Sequence, residues 1–256
     1  MELGLKGKRV LISGGTRGIG RAIADTLAKE GASIALCARN AQQVEETLAQ
    51  FRARGATALG EALDIADRDA LKAWIARAAD ELGGIDIVVA NPSAFGIGAT
   101  EADWQGGYAV DLMGSVHTLE AAMPHLEKAA ATSGDAAALI VTSALVAEAD
   151  AESAYGAYKA ALVHYAKGAS RRLAPKKVRV NAISPGTIYF EDGFWGNARR
   201  HMPAVYDTFL KRNPMGRMGT GAEVAGMAAF LCSPAASFIT GANIMVDGGF
   251  TSRVNY

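Results

Sequence analysis

Short runs of apolar residues alternate with longer amphipathic stretches along the whole chain. The short runs are rich in β-branched residues and lie at 9–13, 33–38, 57–63, 85–90, 138–143, 178–184 and 243–248. Most are continuously apolar, which is typical of strands covered on both faces of a parallel sheet. The longer stretches have helical periodicity and lie at 19–30, 41–54, 67–82, 101–130, 153–174 and 222–232. This alternation predicts an α/β fold, a doubly wound parallel sheet with right-handed crossovers.

One segment departs from this alternation. Residues 186–221, between the last two strands, carry no strand signal and are dense in aromatic residues and methionine. Ligands of open α/β sheets bind beyond the carboxyl ends of the strands, and a connection of this length at that edge is typical of functional loops. No linker divides the chain, so we interpret 1–256 as one domain in which about 187–221 forms a lid over the substrate.

Composition and charge exclude several classes of function. The chain has 256 residues, half of them hydrophobic, which is enough for one large core. Its 26 basic and 26 acidic residues balance, so nothing favours nucleic acid or an anionic membrane as a partner. No apolar run has the length of a signal peptide or a membrane span. The two cysteines and four histidines lack metal-ligand spacing. These features predict a cytoplasmic protein without a disulfide or a metal site.

A glycine-rich turn, S-G-G-T-R-G-I-G, follows the first predicted strand and opens the first helix. Glycine at such a junction permits positive φ and a close approach of the backbone to a ligand. The free N–H groups at the helix N-terminus suit a pyrophosphate. The spacing differs from the general dinucleotide fingerprint, and chance clustering among 29 glycines is the alternative. We predict that a dinucleotide contacts Gly14, Thr16, Arg17, Gly18, Ile19 and Gly20.

Charge at the end of the second strand indicates which dinucleotide binds. An NAD site usually has a carboxylate there, which accepts hydrogen bonds from the ribose. This chain has Arg39 at that point, and Arg17 is a second cation in the glycine turn. Two guanidinium groups suit the 2′-phosphate of NADP. We therefore predict NADP(H), with NAD(H) as the alternative, unless both arginines are merely solvated.

The stretch Y-G-A-Y-K at 155–159 lies in a predicted helix. Residues four apart share a helix face, so Tyr155 lies one turn from Lys159, whereas Tyr158 points elsewhere. A nearby ammonium favours the phenolate and lowers the pKa of a tyrosine. The spacing predicts that Tyr155 acts as an acid or base, and an exposed tyrosine–lysine pair without function is the alternative.

Together with a serine at the end of the fifth strand, these two motifs resemble those of the short-chain dehydrogenase/reductase superfamily. The chain is similar to its small single-domain members, such as 3-oxoacyl-acyl carrier protein reductases, from about Val10 to Gly249. The resemblance implies a Rossmann-type sheet of about seven parallel strands with helices on both faces. It also implies a homotetramer or a dimer that associates through 101–130, 153–174 and the C-terminal segment.

The same resemblance assigns roles to individual residues. It implies that Tyr155 is the general acid/base, that Lys159 binds the nicotinamide ribose and that Ser143 holds the substrate oxygen. Ser143 precedes Tyr155 by 12 positions, one fewer than is commonest in the family, and strand alternation turns its neighbour Thr142 to the other face. Further cofactor contacts implied by the resemblance are Asp64, Ile65, Asn91, Pro185, Gly186 and Ile188.

The chain departs from the family pattern at three places. The family's N-N-A-G turn reads N-P-S-A at 91–94, where Pro92 removes an N–H. A threonine that commonly contacts the nicotinamide amide is replaced by Phe190, which indicates altered stacking or an apolar wall. The asparagine of the long helix is replaced by Asp111, which lacks the amide's donors. In the family this asparagine holds a water that relays protons to the lysine. We expect Asp111 to hold that relay water and to stabilise the ammonium of Lys159.

These observations predict an NADP(H)-dependent oxidoreductase that interconverts a small-molecule carbonyl compound and its alcohol. Six aromatic residues and one methionine of the lid indicate an aromatic or medium-sized apolar substrate. They are Tyr189, Phe190, Phe194, Trp195, Met202, Tyr206 and Phe209. The segment 199–201, Arg-Arg-His, could instead bind a substrate anion. The alternatives are an NAD-dependent alcohol dehydrogenase, a catalytically silent NADP-binding sensor, and an isomerase or dehydratase that consumes no net NADPH.

Overall fold

A parallel sheet of seven strands forms the centre of the described structure, which is residues 2–254 of a computed structural model. In chain order the strands are β1 (Arg9–Ser13), β2 (Ser33–Ala38), β3 (Ala58–Ala62), β4 (Ile87–Ala90), β5 (Ala136–Val141), β6 (Val178–Pro185), β7 (Ile188–Tyr189), β8 (Gly219–Thr220) and β9 (Asn243–Val246). The sheet order is β3-β2-β1-β4-β5-β6-β9, and β7 pairs with β8 outside it. Strand order reverses between β1 and β4, where such folds bind ligands. The predicted doubly wound fold is confirmed.

Helices cover both faces of this sheet. They are α1 (Gly18–Lys29), α2 (Ala41–Ala53), α3 (Arg68–Leu82), α4 (Glu101–Gly106), α5 (Gly114–Ser133), α6 (Ala154–Leu173), α7 (Phe194–His201), α8 (Pro203–Arg212) and α9 (Gly221–Cys232). A π-helical segment, Gly107–Met113, joins α4 to α5, so the stretch predicted as one helix over 101–130 has an irregular middle. Between residues 2 and 254, no helix has the length and apolarity needed to cross a bilayer.

Two apolar clusters fill the space between the sheet and its helices. Leu11 faces the cluster that contains α3, α5 and α6, whereas its neighbours Val10 and Ile12 face the cluster under α1, α2 and α9. This split follows from the alternation of side chains along a strand. Because both faces are buried, the strands are apolar at nearly every position, which explains why their boundaries could be predicted within a few residues.

The segment between β6 and α9 contains regular structure that was not predicted. It forms α7 and α8, and its ends form the short strands β7 and β8, in which Ile188 lies opposite Gly219. The Gly219 N–H donates to the Thr187 carbonyl at 2.9 Å. The expectation of no strand here was wrong, because a two-residue strand has too little periodicity to be recognised. The interpretation of 187–221 as a substrate lid stays a prediction.

Candidate active site

The glycine-rich turn between β1 and α1 needs glycine both for its backbone conformation and for close packing. Gly14 and Gly18 have φ values of 70° and 57°, a region that glycine adopts without strain. A Cβ on Gly20 would lie 2.1 Å from the Gly14 carbonyl oxygen and 2.4 Å from Asn91 Nδ2. Asn91 Nδ2 donates to that carbonyl at 3.0 Å. Arg17, the N-cap of α1, makes no side-chain cap, so the first N–H groups of α1 are available to an anionic ligand. This cradle fits a dinucleotide pyrophosphate.

The two arginines predicted to bind a phosphate lie beside this cradle. Arg17 begins α1 and Arg39 follows β2, at the carboxyl ends of neighbouring strands, and both are exposed. Thr16 Oγ1 donates to Gln43 Oε1 of α2 at 3.4 Å, so the turn also contacts the next helix. The arginines that form ion pairs within residues 2–254 are Arg9, Arg21, Arg54, Arg77, Arg179, Arg200, Arg212 and Arg217. Arg17 and Arg39, the two arginines predicted to bind the phosphate, are not in that set.

The other predicted cofactor contacts also lie at the carboxyl edge of the sheet. Asp64 follows β3, is exposed and accepts from Ala66 N at 3.0 Å. Ile65 is buried, with a methyl carbon 3.2 Å from the position of a Cβ on Gly114. At the end of β6, the Gly186 N–H donates to the Val246 carbonyl at 3.0 Å. The edge also includes buried Pro185, buried Ile188 and half-buried Asn91.

Tyr155 and Lys159 lie in the first turns of α6 on the same face, as predicted. The Ser153 side chain accepts from Gly156 N at 3.1 Å and begins the helix just before Tyr155. Lys159 Nζ lies 5.5 Å from the centroid of the Tyr155 ring. Lys159 is 2% exposed, and its ammonium donates to the carbonyl of Val141 at 3.2 Å. Lys159 is therefore buried and Tyr155 is half-buried, so the two residues do not form an exposed surface pair.

Tyr158 points away from this face, as the helical spacing predicts. Its ring makes an edge-to-face contact with Trp104, with 5.5 Å between centroids, and lies 6.3 Å from the ring of Tyr108. A Cβ on Gly107 would lie 2.8 Å from its ring. Tyr158 therefore packs α6 against α4 and the π-helical segment.

The two hydroxyls at the end of β5 face opposite sides. Thr142 is buried; its Oγ1 donates to the Ile183 carbonyl at 2.9 Å and lies 2.6 Å from Ser184 Oγ. Ser143 is partly exposed, and its Oγ accepts from Leu145 N at 3.2 Å. The hydroxyl of Thr142 is therefore occupied by the neighbouring strand, whereas Ser143 can also donate to a ligand.

The electrostatic environment of Tyr155 differs from the expected one. Burial raises the pKa of Tyr155, the negative charge of Asp111 raises it further, and an interaction with Ser143 lowers it. Burial also lowers the pKa of Lys159, which Asp111 opposes. The pKa of Tyr155 is thus raised, rather than lowered as predicted, because burial disfavours the phenolate more strongly than any neighbouring charge changes it. A tyrosine with its ordinary pKa of about 10 is already protonated at neutral pH, and this shift does not change that state.

Two of the departures from the family pattern contact each other. Asp111, fully buried in the π-helical segment, accepts from Ala94 N through Oδ2 at 3.0 Å. Its Oδ1 lies 3.2 Å from Lys159 Nζ, which makes an ion pair. Among residues 2–254, this oxygen has no hydrogen-bond partner. Lys159 Nζ donates to the Pro92 carbonyl at 3.1 Å. Asp111 therefore holds the N-P-S-A turn as well as the ammonium.

The third departure, Phe190, packs at the base of the predicted lid. A Cβ on Gly221, at the start of α9, would lie 2.8 Å from the Phe190 ring and 3.0 Å from Ala22 Cβ of α1. The ring belongs to the apolar cluster under α1, α2 and α9. It thus packs between α1 and α9, and its expected role beside the nicotinamide stays a prediction.

One residue of the site had no signal in the sequence. Phe95 follows the N-P-S-A turn and is 47% exposed, with φ at 56°. Its ring centroid lies 5.7 Å from that of Tyr155. A lone phenylalanine in a loop shows neither periodicity nor motif spacing, so only the fold could reveal this contact.

Comparison with known proteins accounts for this arrangement. The family model described as enoyl-(acyl carrier protein) reductase matches residues 14–251. Isoepoxydon dehydrogenase patN of Penicillium expansum is 39% identical, over 97% of this chain and 96% of its own length. The chain belongs to the short-chain dehydrogenase/reductase superfamily. It is therefore an oxidoreductase of the class that uses a nicotinamide cofactor.

Solved structures of short-chain dehydrogenases/reductases have the same fold. L-sorbose reductase from Gluconobacter frateurii, complexed with NADPH and L-sorbose, is 28% identical with a TM-score of 0.89, over 99% of this chain and 100% of that chain. An NADPH-bound short-chain oxidoreductase from Pseudomonas aeruginosa PAO1, described as containing an atypical catalytic center, is 28% identical with a TM-score of 0.86. That match covers 96% of this chain and 98% of that chain.

Proposed function

We propose that this chain is an NADP(H)-dependent carbonyl reductase, or the corresponding alcohol dehydrogenase in the reverse direction. The observation that carries the proposal is the convergence of Ser143, Tyr155 and Lys159 at the carboxyl edge of the sheet that also holds the glycine cradle. In this proposal the glycine turn holds the pyrophosphate, Lys159 holds the nicotinamide ribose and residues 185–188 border the nicotinamide. When bound, the nicotinamide supplies or accepts the hydride.

The remaining chemistry belongs to side chains of this protein. In reduction, Tyr155 donates its proton to the substrate oxygen, and in oxidation it takes the proton back. Ser143 donates a hydrogen bond to the same oxygen and stabilises the charge that develops there. The ammonium of Lys159 stabilises the Tyr155 phenolate left after proton donation. Asp111 fixes the position of that ammonium and positions the relay water through which Tyr155 regains a proton.

Transfer of a labelled hydrogen tests this proposal. NADPH with deuterium at C4 of the nicotinamide is mixed with the protein and a ketone, and the product is examined by mass spectrometry. We expect the label on the carbinol carbon of an alcohol formed one for one with oxidised cofactor. An unlabelled product without loss of NADPH would favour an isomerase or dehydratase instead. A protein that binds NADPH but transforms no ketone would favour the silent sensor, for which the unusual Asp111 is the supporting observation.

The preference for NADP(H) rests on the two exposed arginines beside the cradle. Each guanidinium bonded to a phosphate contributes about 1.5–3 kcal/mol, which corresponds to about tenfold or more in affinity. We expect the Arg17→Ala/Arg39→Ala variant to bind NADPH at least about tenfold more weakly, whereas its affinity for NADH changes little. Paired titrations followed by nicotinamide fluorescence measure both, with Arg171→Ala, an exposed arginine on α6, as the matched control. Equal losses for the two cofactors would contradict the phosphate-binding role.

For the substrate, we propose an uncharged aromatic or medium-sized apolar alcohol or ketone. Phe194, a lid aromatic whose ring centroid lies 5.5 Å from that of Phe95, supports this class. The relative named isoepoxydon dehydrogenase makes isoepoxydon the first compound to test. The alternative of a substrate anion at 199–201 receives less support. Arg200 is paired with Glu191 at 2.6 Å, and the Arg199 guanidinium lies 6.0 Å from the centroid of Tyr206.

We also propose that the enzyme is a homo-oligomer, a tetramer or a dimer, which associates through the two long helices and the C-terminal segment. Trp104 and Tyr108 form an exposed aromatic patch on the first of these helices. Light scattering at micromolar concentration is expected to give a multiple of 26.6 kDa, and a monomer would contradict the proposal. The last two residues, Asn255 and Tyr256, lie outside the described part of the chain.

A further inference from the structure

A continuous series of aromatic contacts leads from Tyr155 into the lid. Ring centroids are 5.7 Å apart for Tyr155–Phe95, 5.5 Å for Phe95–Phe194, 4.9 Å for Phe194–Trp195, 5.0 Å for Trp195–Phe209 and 6.1 Å for Phe209–Phe250. Within residues 2–254, Phe194 is the lid aromatic whose ring contacts Phe95. The lid therefore reaches the reactive tyrosine through one pair of phenylalanines from two different loops.

Phe95 is held in a conformation that packing of its own ring does not explain. Its φ of 56° is unfavourable for a residue with a Cβ, and nearly half of its surface is exposed. The backbone is nevertheless fixed on both sides, because Phe95 N donates to Ser93 Oγ at 3.0 Å and Gly98 accepts from Ala154 N at 2.9 Å. Ala154 directly precedes Tyr155. Strain of this kind is retained where the surrounding structure fixes a side chain for a function.

The aromatic residues farther from Tyr155 have a different environment. Arg212 lies 5.2 Å from the centroid of Phe209 and 4.6 Å from that of Phe250. The same guanidinium pairs with Asp150, in the loop between Ser143 and α6. Trp195 packs between Phe194 and Phe209. This outer group is satisfied by contacts within the protein, so it supports the lid rather than presenting a surface to the substrate.

We propose that Phe95 and Phe194 form the wall that determines substrate specificity, and that they select planar, unsaturated ring compounds over saturated ones of equal size. This inference rests on the proposed function and narrows its substrate class. A flat ring can stack on, or meet edge-on, the aromatic faces of this pair, which adds attraction beyond the apolar area that any substrate of that size buries. Arg212, whose guanidinium lies beside Phe209 and Phe250, is paired with Asp150.

Two ketones of nearly equal size test the inference. Acetophenone carries a planar ring, and cyclohexyl methyl ketone carries its saturated counterpart, so the ratio of their kcat/KM values isolates the effect of the flat ring. We expect this ratio to fall about threefold to tenfold in Phe95→Ala and in Phe95→Gly. Glycine relaxes the backbone at positive φ whereas alanine does not, so equal effects in the two variants assign the loss to the ring. Phe194→Leu is expected to lower the ratio in the same direction.

Phe238→Ala is the matched control, because Phe238 is fully exposed, at 102%, and lies outside the aromatic series. Its ratio should equal that of the wild type. An unchanged ratio in both Phe95 variants, or a change in Phe95→Ala alone, would overturn the inference while the proposed function stands. If the wild type reduces neither ketone, the substrate class is wrong, and the isotope experiment with other carbonyl compounds shows whether the proposed function survives.

Discussion

Replacing Tyr155 by phenylalanine is expected to lower kcat by about a hundredfold to ten-thousandfold, the range that a positioned general acid contributes. The phenyl ring keeps the contacts with Phe95 and Lys159 but has no proton to donate. A tyrosine hydroxyl with its ordinary pKa of about 10 is protonated at neutral pH, and burial and Asp111 raise the pKa of Tyr155 further, so the wild type has a proton to donate. Single-turnover rates and an NADPH titration measure the two effects separately, and we expect the affinity for NADPH to change less than about twofold.

The matched control is Tyr158→Phe, three positions later on the same helix. Its ring packs against Trp104 and Tyr108, so removal of its hydroxyl should leave kcat near the wild-type value. A Tyr155→Phe enzyme that keeps most of its turnover would contradict the assignment of the general acid. Equal losses in both variants would point to a disturbance of α6 rather than to chemistry.

Replacing Lys159 by methionine is expected to lower the free energy of unfolding by about 3–5 kcal/mol, because it leaves a fully buried carboxylate without its cation. Asp111 would then keep only the N–H of Ala94 as a partner. Removing both charges from water offsets much of their mutual attraction, so replacing the whole pair costs less than breaking it. The Lys159→Met/Asp111→Asn variant removes both charges and should recover much of the loss. Urea unfolding of the two variants measures this difference.

Lys167→Met provides the control for this comparison, since Lys167 lies on α6, is exposed and donates to the Gly241 carbonyl at 3.1 Å. Its unfolding free energy should change by less than about 0.5 kcal/mol. If the double variant is no more stable than Lys159→Met, the buried carboxylate is not the cause of the loss. Turnover should be absent from both Lys159 variants, so recovery of stability without recovery of activity separates the structural role of the pair from its chemical one.

The fold and part of the site could be predicted from the sequence because they depend on local patterns. Continuously apolar strands identified the sheet, and the four-residue spacing of Tyr155 and Lys159 placed both on one face of α6. The opposite orientations of Thr142 and Ser143 followed from strand alternation. Each of these inferences needs only the side-chain periodicity of one helix or strand, which can be recognised in the sequence alone.

The remaining features depend on contacts between distant segments. Asp111 and Ala94 are 17 positions apart, across a loop and an irregular helix, and no period connects them. The raised pKa of Tyr155 also depends on the folded structure, because burial of its side chain contributes most and the charge of Asp111 adds to it. Phe95 lies in a loop at positive φ, and its ring meets Phe194 only once the lid is folded.

The most direct test of the account is the steady-state reduction of one ketone with NADPH and with NADH under identical conditions. We predict an alcohol formed one for one with NADPH, and a kcat/KM at least about tenfold higher for NADPH than for NADH, as expected if two guanidinium groups bind the 2′-phosphate. A rate with NADH equal to or above that with NADPH would contradict the cofactor assignment. Absence of alcohol with either reductant, across a panel of aromatic and aliphatic ketones in a protein that binds NADPH, would contradict the proposed carbonyl reduction itself.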